Sequence, residues 1–309
     1  MTVLKSLAGT LLAVFLVLIL WGSAIEPRFL LDIQMQDAPI SALPTEWEGR
    51  QVALLADLQV GMWWDNTEMV EKTVARALNA EPALILIAGD FVYKPDSAVV
   101  REAVALVEPL GASGIPVMAV LGNHDYSLAK EDDRANENLA AYLASELEAA
   151  GIMVLENEAV PVADGAGGAG LWVVGVGSEW AGRSRPEAAR ARVPVGAAHL
   201  VLMHNPVAFR DLPAGSGGLT LAAHTHGGQV RLPLTRSASW LDIARPREVV
   251  ADGWAADSIG APGNSLYVNR GLGFSAVPVR IRCRPELTLL RLVPGEAVSA
   301  EDVPQSGHP

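Results

Sequence analysis

Short apolar runs alternate with amphipathic stretches along the first half of this 309-residue chain. Val52 to Leu55 is continuously apolar, as a strand buried on both faces must be. Residues 66–79 place Met69, Val70, Val74 and Leu78 on one helical face, with Asn66 or Thr67 as the cap. Ala83 to Ala88 then reads as strand, 97–110 as helix, and Pro116 to Leu121 as strand. Residues 132–149 read as a long amphipathic helix stopped by Gly151. This order predicts an α/β fold with helices covering a sheet. Beyond residue 150 the runs become shorter: Val160–Val162, Leu171–Val176, His199–Met203, Leu219–Ala222, Leu266–Val268, Val279–Cys283 and Leu287–Val293. Turns separate most of them, and the one weak helical stretch lies near Pro186–Arg192. A second, more antiparallel sheet is expected. Leu234 to Gly253 has no clear period and reads as an excursion near a site, and 294–309 as a frayed tail.

The N-terminus breaks the pattern. No charged residue occurs from Leu7 to Ile25, and about 20 apolar residues suffice to span a bilayer as a helix. A membrane anchor fits, with Trp21 at the interface. A cleaved signal peptide ending at Gly22-Ser23-Ala24 is the other reading. Lys5 precedes the run, and Glu26, Arg28, Asp32 and Asp37 follow it, so positive-inside logic puts the body of a single-pass protein outside the cytoplasm. The expected organisation is an anchor at 1–25, a linker at 26–50 punctuated by Pro27, Pro39 and Pro44, a catalytic domain at 51–293 and the tail.

Half the residues are apolar, enough for a sizeable core. The net charge of −12 argues against a nucleic-acid partner, because phosphate backbones are bound by clustered Lys and Arg. The single cysteine, Cys283, rules out an internal disulfide and reads as an ordinary strand residue. Gly165-Ala166-Gly167-Gly168-Ala169-Gly170 matches a dinucleotide-loop pattern, but a strand follows it where a helix is required; a flexible hairpin turn fits better.

The chemistry collects where apolar runs stop. Five such ends read Ala56-Asp57-Leu58-Gln59, Gly89-Asp90, Gly122-Asn123-His124-Asp125, Met203-His204-Asn205 and His224-Thr225-His226-Gly227-Gly228. Taken singly, an Asp after a strand is a turn residue or helix cap, and a lone His partners some backbone group. Together they supply carboxylates, imidazoles and an amide at one edge, which a divalent metal pair needs and a core does not.

In order and spacing these motifs resemble the calcineurin-like metallophosphoesterases, over about residues 50 to 293. Glu26-Pro27, His224-Thr225-His226-Gly227-Gly228-Gln229-Val230 and Arg284-Pro285-Glu286 resemble the membrane-anchored bacterial branch that includes phosphodiesterase-like proteins acting on lipid-linked phosphates. The resemblance implies a four-layer α/β-β/α sandwich of two mixed sheets, here behind a transmembrane helix. It also implies a metal-dependent phosphohydrolase for phosphodiester, phosphomonoester or pyrophosphate bonds. Two divalent ions (Mn, Fe, Mg or Zn) would be held, one by Asp57, Asp90 and His226 with Gln59, the other by Asp90, Asn123, His204 and His224. Such a pair binds phosphate oxygens and holds a hydroxide for in-line attack. His124 would stabilise developing charge or protonate the leaving oxygen, with Asp125 orienting it. The bilayer and a phosphorylated, lipid-linked substrate are the implied partners.

Two positions depart from the family. Ala223 stands where Gly is usual. Gln59 stands where His is usual, and its neutral amide oxygen is a harder, weaker donor that shifts the site toward Mn²⁺, Mg²⁺ or Fe. Loss of that His is one step toward the alternative reading, a catalytically weakened scaffold or metal-binding interaction module of the same fold. Gly89-Asp90-Phe91-Val92-Tyr93 matches the motif of purple acid phosphatases, whose tyrosine binds iron; Tyr93 is either such a ligand or a packing residue. Met62-Trp63-Trp64 suits a membrane interface or lipid-like substrate, or else a loop closing over the core. Arg270, in Asn269-Arg270-Gly271, is a phosphate contact or a turn residue.

Overall fold

The computed structural model describes residues 2–94, 96–162, 170–233, 235, 238–241, 250–256 and 258–295. Helix α1 (Thr2–Leu20) continues through a π-helical turn at Trp21–Ile25 into α2 (Glu26–Phe29). Residues Lys5–Phe29 are long and apolar enough to cross a membrane by length and composition.

Two six-stranded sheets follow. The first runs β1 (Asp32–Ser41), β12 (Glu286–Gly295), β2 (Gln51–Leu55), β3 (Leu84–Ile87), β4 (Val117–Ala119), β5 (Met153–Val154). The second runs β10 (Gly253–Trp254), β11 (Ser265–Val268), β9 (Leu219–Ala222), β8 (His199–Leu202), β7 (Leu171–Gly175), β6 (Glu158–Val162). Both are mixed. In the first, β2 to β5 are parallel and β12 is antiparallel to β2. In the second, β7, β8, β9 and β11 are parallel, and the edge strands β6 and β10 are antiparallel. The expected more antiparallel character is therefore corrected: the short runs are joined by crossovers, and turn spacing alone did not reveal them.

Helices α3 (Thr67–Asn79), α4 (Ser97–Gly111) and α5 (Glu137–Ala149) bury their apolar faces on the first sheet, with Val70, Val74, Val107 and Leu143 against Leu55, Ile85 and Ile87. Leu54, Leu86 and Val120 meet Val173, Leu200 and Leu221 between the sheets. The outer face of the second sheet is covered more thinly, by α6 (Pro186–Arg190) and a 3₁₀ segment at Pro206–Asp211, which brings Ala189 and Phe209 onto Val201. These are the four layers expected. Strands β2 to β4 and β7 to β9 are buried on both faces, which is why they read as unbroken apolar runs.

Several local expectations shift. Asp96 caps α4 by accepting from Ala98 N and Val99 N. Helix α5 starts at Glu137 rather than 132, because Asn136 supplies its cap by accepting from Leu139 N. Residues 26–50, expected as a linker, hold α2 and β1, and β1 pairs with β12 at all ten positions. Three prolines obscured it, yet an edge strand tolerates proline. Val279–Cys283, expected as a strand, is loop, with a single bridge between Val230 and Ile281. The glycine-rich turn lies mostly outside the described residues, as do most of 234–253 and the tail from 296.

Candidate metal centre

All five motifs arrive at one edge of the paired sheets. Parallel strands β2, β3, β4, β8 and β9 end there, so the residues just after them converge. The turns are tight. Asp57, Gln59, Asp90, His224 and His226 all have left-handed backbone, with φ of 49°, 54°, 56°, 73° and 51°. Such a conformation costs a non-glycine residue about 1–2 kcal/mol, and its concentration here marks a site held against local preference.

The side chains form two groups that share Asp90. Asp90, His204 and His224 offer donor atoms within 4.8 Å of one another, and so do Asp57, Asp90 and His226. His204 Nδ1 lies 2.7 Å from Ala88 O, which fixes the ring and turns Nε2 toward the site. That Nε2 lies 3.1 Å from Asn123 Oδ1, 3.2 Å from His224 Nδ1 and 3.3 Å from Asp90 Oδ2. Asn123 Nδ2 donates to Leu128 O at 2.7 Å, so its carbonyl oxygen faces the same space. Gln59 Nε2 donates to Asp90 Oδ2 at 2.7 Å and lies 3.5 Å from His226 Nε2.

Among the described residues, three buried atoms of this cluster have no hydrogen-bond partner: Asp57 Oδ2, Gln59 Oε1 and His226 Nδ1. Orphaned acceptors are rare in a protein interior. Here they are carboxylate, amide and imidazole donors around one space, so the donor set fits divalent ions. Metal-free electrostatics agree. Burial, with Asp90 nearby, pushes the Asp57 carboxyl up to about 7. Burial acts the same way on Asp90, but His204, His124 and His224 outweigh it and hold this carboxyl well below the usual range. Burial would lower His204, but Asp90 and Asp57 raise it to about 9. Burial and then the Arg280 charge hold His226 well below an ordinary histidine.

His124 sits at the pocket with Nδ1 3.0 Å from Tyr93 O. The Tyr93 ring stacks on the imidazole at 4.8 Å between centroids and 22° between planes. Tyr93 thus packs on and orients His124, the bland alternative for this residue. Asp125, expected to orient His124, does something else. Its carboxylate accepts from Gly122 N at 2.8 Å, Asp90 N at 2.9 Å and Val92 N at 3.2 Å, clamping the loops that carry Asp90 and His124. A side chain one residue along a 3₁₀ turn points away from its neighbour's ring, and local sequence does not show this. Gly122 is required because a Cβ there would lie 2.1 Å from Asp90 Oδ1.

Two arginines change meaning. Arg270 is buried in ion pairs with Glu286 and Asp32, which makes it structural rather than a phosphate contact. Arg280 escaped the sequence reading. Fully buried behind the centre, it donates to Arg270 O at 2.8 Å and to Gly273 O at 2.6 Å and 2.9 Å, and burial lowers its pKa. The signal was a charge inside an apolar run. Cys283, also in that loop, lies with Sγ 3.3 Å from His226 O. The pocket beside the centre is lined by Asp90, His124, Trp180, His224, Gln229 and Trp240.

Residues 50–228 match the family described as Calcineurin-like phosphoesterase. The chain belongs to this family. It is 32% identical over 245 residues to Phosphodiesterase YaeI of Escherichia coli (strain K12), covering 79% of this chain and 82% of that protein. It is 26% identical over 258 residues to Uncharacterized metallophosphoesterase YkuE of Bacillus subtilis (strain 168), covering 82% of each. UDP-2,3-diacylglucosamine pyrophosphatase LpxG of Chlamydia muridarum (strain MoPn / Nigg) is 23% identical over 318 residues, covering 88% of this chain and 92% of that protein. The chain is a hydrolase of the metallophosphoesterase type.

Proposed function

We propose that this hydrolase cleaves phosphodiester or pyrophosphate bonds, or phosphomonoesters, of a substrate linked to lipid, while held by α1 in a bacterial inner membrane with its catalytic domain outside the cytoplasm. The observation that carries the reading is the pair of donor groups sharing Asp90 beside His124. Asp57, Asp90, His226 and the unpartnered Oε1 of Gln59 would hold one ion; Asp90, Asn123, His204 and His224 would hold the other. When bound, the two ions supply Lewis acidity toward the phosphate oxygens and the attacking water.

The chain's own residues do the rest. His204 is fixed by Ala88 O, so a lone pair on Nε2 faces the site once its proton leaves. His124 donates Nδ1–H to Tyr93 O, which leaves Nε2 for the pocket, where the imidazolium form can pass its Nε2 proton to a leaving oxygen. Asp125 fixes the backbones of Asp90 and Gly122 and so sets the distance between the Asp90 carboxylate, common to both donor groups, and His124. The lipid link is supported by the apolar α1, whose 19 residues span about 28 Å at 1.5 Å per residue, and by a relative named for a diacylated sugar nucleotide. The test is hydrolysis of bis-p-nitrophenyl phosphate by the full chain in detergent, with Mn²⁺ and with EDTA. Turnover that Mn²⁺ restores and EDTA removes is expected. Turnover that persists in EDTA after metal stripping would refute the metal-dependent reading.

A further inference from the structure

The end of α1 is bolted to the catalytic domain. Arg280 N donates to Gly22 O at 2.7 Å, and a Cβ on Gly22 would lie 2.5 Å from Ile281 Cγ1. The buried Glu26 carboxylate accepts from Trp21 Nε1 at 2.8 Å, Arg282 N at 2.9 Å and Cys283 N at 2.6 Å. Arg28 then reaches in two directions. Its Nε donates back to Ser23 O at 3.1 Å, while its terminal nitrogens donate to Asp65 O at 2.7 Å and Trp64 O at 3.0 Å. The guanidinium also lies 4.4 Å from the centre of the Trp64 ring. The Trp63–Trp64 loop is therefore tied through Arg28 to Ser23, two residues past Trp21.

We propose that this face rests in the headgroup layer of the membrane that holds α1, so that the metal centre opens onto phosphates at the bilayer surface. The proposal rests on α1 being a membrane span. Trp63 is 64% exposed and Trp64 51%, and Trp21 and Phe29, on the helical stretch that carries Arg28, are also exposed. A single exposed indole is ordinary. An exposed aromatic cluster continuous with a spanning helix is an interfacial belt, where an indole meets both apolar and polar surroundings. The depths agree. Two helical residues rise about 3 Å, and the headgroup layer adds about 5–7 Å beyond the hydrocarbon. The pocket is close as well. Gln229, which lines it, donates to Val277 O at 3.1 Å and Val279 O at 3.2 Å. From Ala276 at the pocket to Arg280 on the anchor is four residues, at most about 14 Å of chain.

The test uses the full chain in vesicles of phosphatidylcholine and phosphatidylglycerol. A fluorophore is placed on cysteine in turn at Phe15→Cys, Trp63→Cys and Val195→Cys, in a Cys283→Ala background. Quenching is read with nitroxide lipids labelled at the headgroup or deep in the chain. Position 15 should be quenched by the deep label and position 63 by the headgroup label at least threefold more than 195. Adding Arg28→Ala should halve the quenching at 63 and leave 15 unchanged. Quenching at 63 no greater than at 195, with 15 still quenched, would overturn the docking and leave the anchor standing. No quenching at 15 would overturn both. A label at 63 that is shielded from water but untouched by either nitroxide lipid would mean that protein covers the loop, and would overturn the proposal too.

Discussion

Asp125 is the sharpest place to test the site's construction. Removing its carboxylate in Asp125→Ala strands three buried N–H groups, those of Gly122, Asp90 and Val92, at about 1–3 kcal/mol each. Against this stands relief: burial, and then Asp90, push this carboxyl up to about 7 from 3.8, a shift that at about 1.4 kcal/mol per unit makes the buried charge cost about 4 kcal/mol at neutral pH. The losses exceed the relief by about 2 kcal/mol at the middle of the range. Asp125→Asn gains the same relief and its oxygen can keep the bonds from Asp90 and Gly122, but it strands Val92 N–H and its own buried amide N–H groups, which face each other. The two retained bonds less the buried amide should leave Asp125→Asn more stable than Asp125→Ala by about 2 kcal/mol at the middle of the range, or about 4–8 °C in melting temperature for a domain of this size. Thermal melts of metal-free protein followed by circular dichroism decide it. Asp125→Asn should melt near the wild type and Asp125→Ala below it. If Asp125→Asn melts with or below Asp125→Ala, the backbone-clamp account is wrong.

Other consequences follow from the same geometry. His124→Ala should lower kcat by about 10²–10⁴, the range of a general acid, while leaving the metal content measured by elemental analysis unchanged; full activity would remove its assigned role. Metal binding must displace the His204 proton, so Mn²⁺ affinity should rise about tenfold per pH unit up to about pH 9, with Asp57 adding to the slope below about pH 7. Titration calorimetry in buffers of different ionisation enthalpy would show the released proton, and an affinity flat between pH 6.5 and 8.5 would contradict the charge distribution. Raised folded-state pKa values at Asp57 and Asp125 also lower metal-free stability as pH rises from about 4 to 7, and added metal should remove the Asp57 share of that fall in melting temperature. Gly271→Ala would put a Cβ 2.4 Å from Asp57 Oδ2 at a φ of +66°, so bound metal should drop toward one ion per chain, with the Asp90–His204–His224 group retained.

The candidate site was legible because its residue types are unusual at the ends of apolar runs: Asp57, Asp90, Asn123, His204, His224 and His226, singled out in the sequence, lie together in the structure. Gln59 was found as well, though its Nε2 contact with Asp90 was not. The helices on the first sheet were legible because each carries its own apolar stripe. Strand β1 was not, since Pro39 within it and Pro27 and Pro44 beside it mimic a linker, and only its partner, some 250 residues away, makes it a strand.

Local pattern by itself determined which residues bear chemistry, the α/β layering and the apolar N-terminal helix, because side-chain type and periodicity are properties of neighbouring residues. Tertiary structure alone decided the parallel order of the second sheet, the left-handed turns that aim the ligands, and the exchange of roles in which Tyr93 holds His124 while Asp125 clamps backbone. It also decided that Arg280 lies behind His226 and that Arg28 ties the tryptophan loop to α1. These rest on hydrogen bonds between segments distant in the chain, whose partners are chosen by how strands pair and sheets pack, and no spacing along the sequence records that choice.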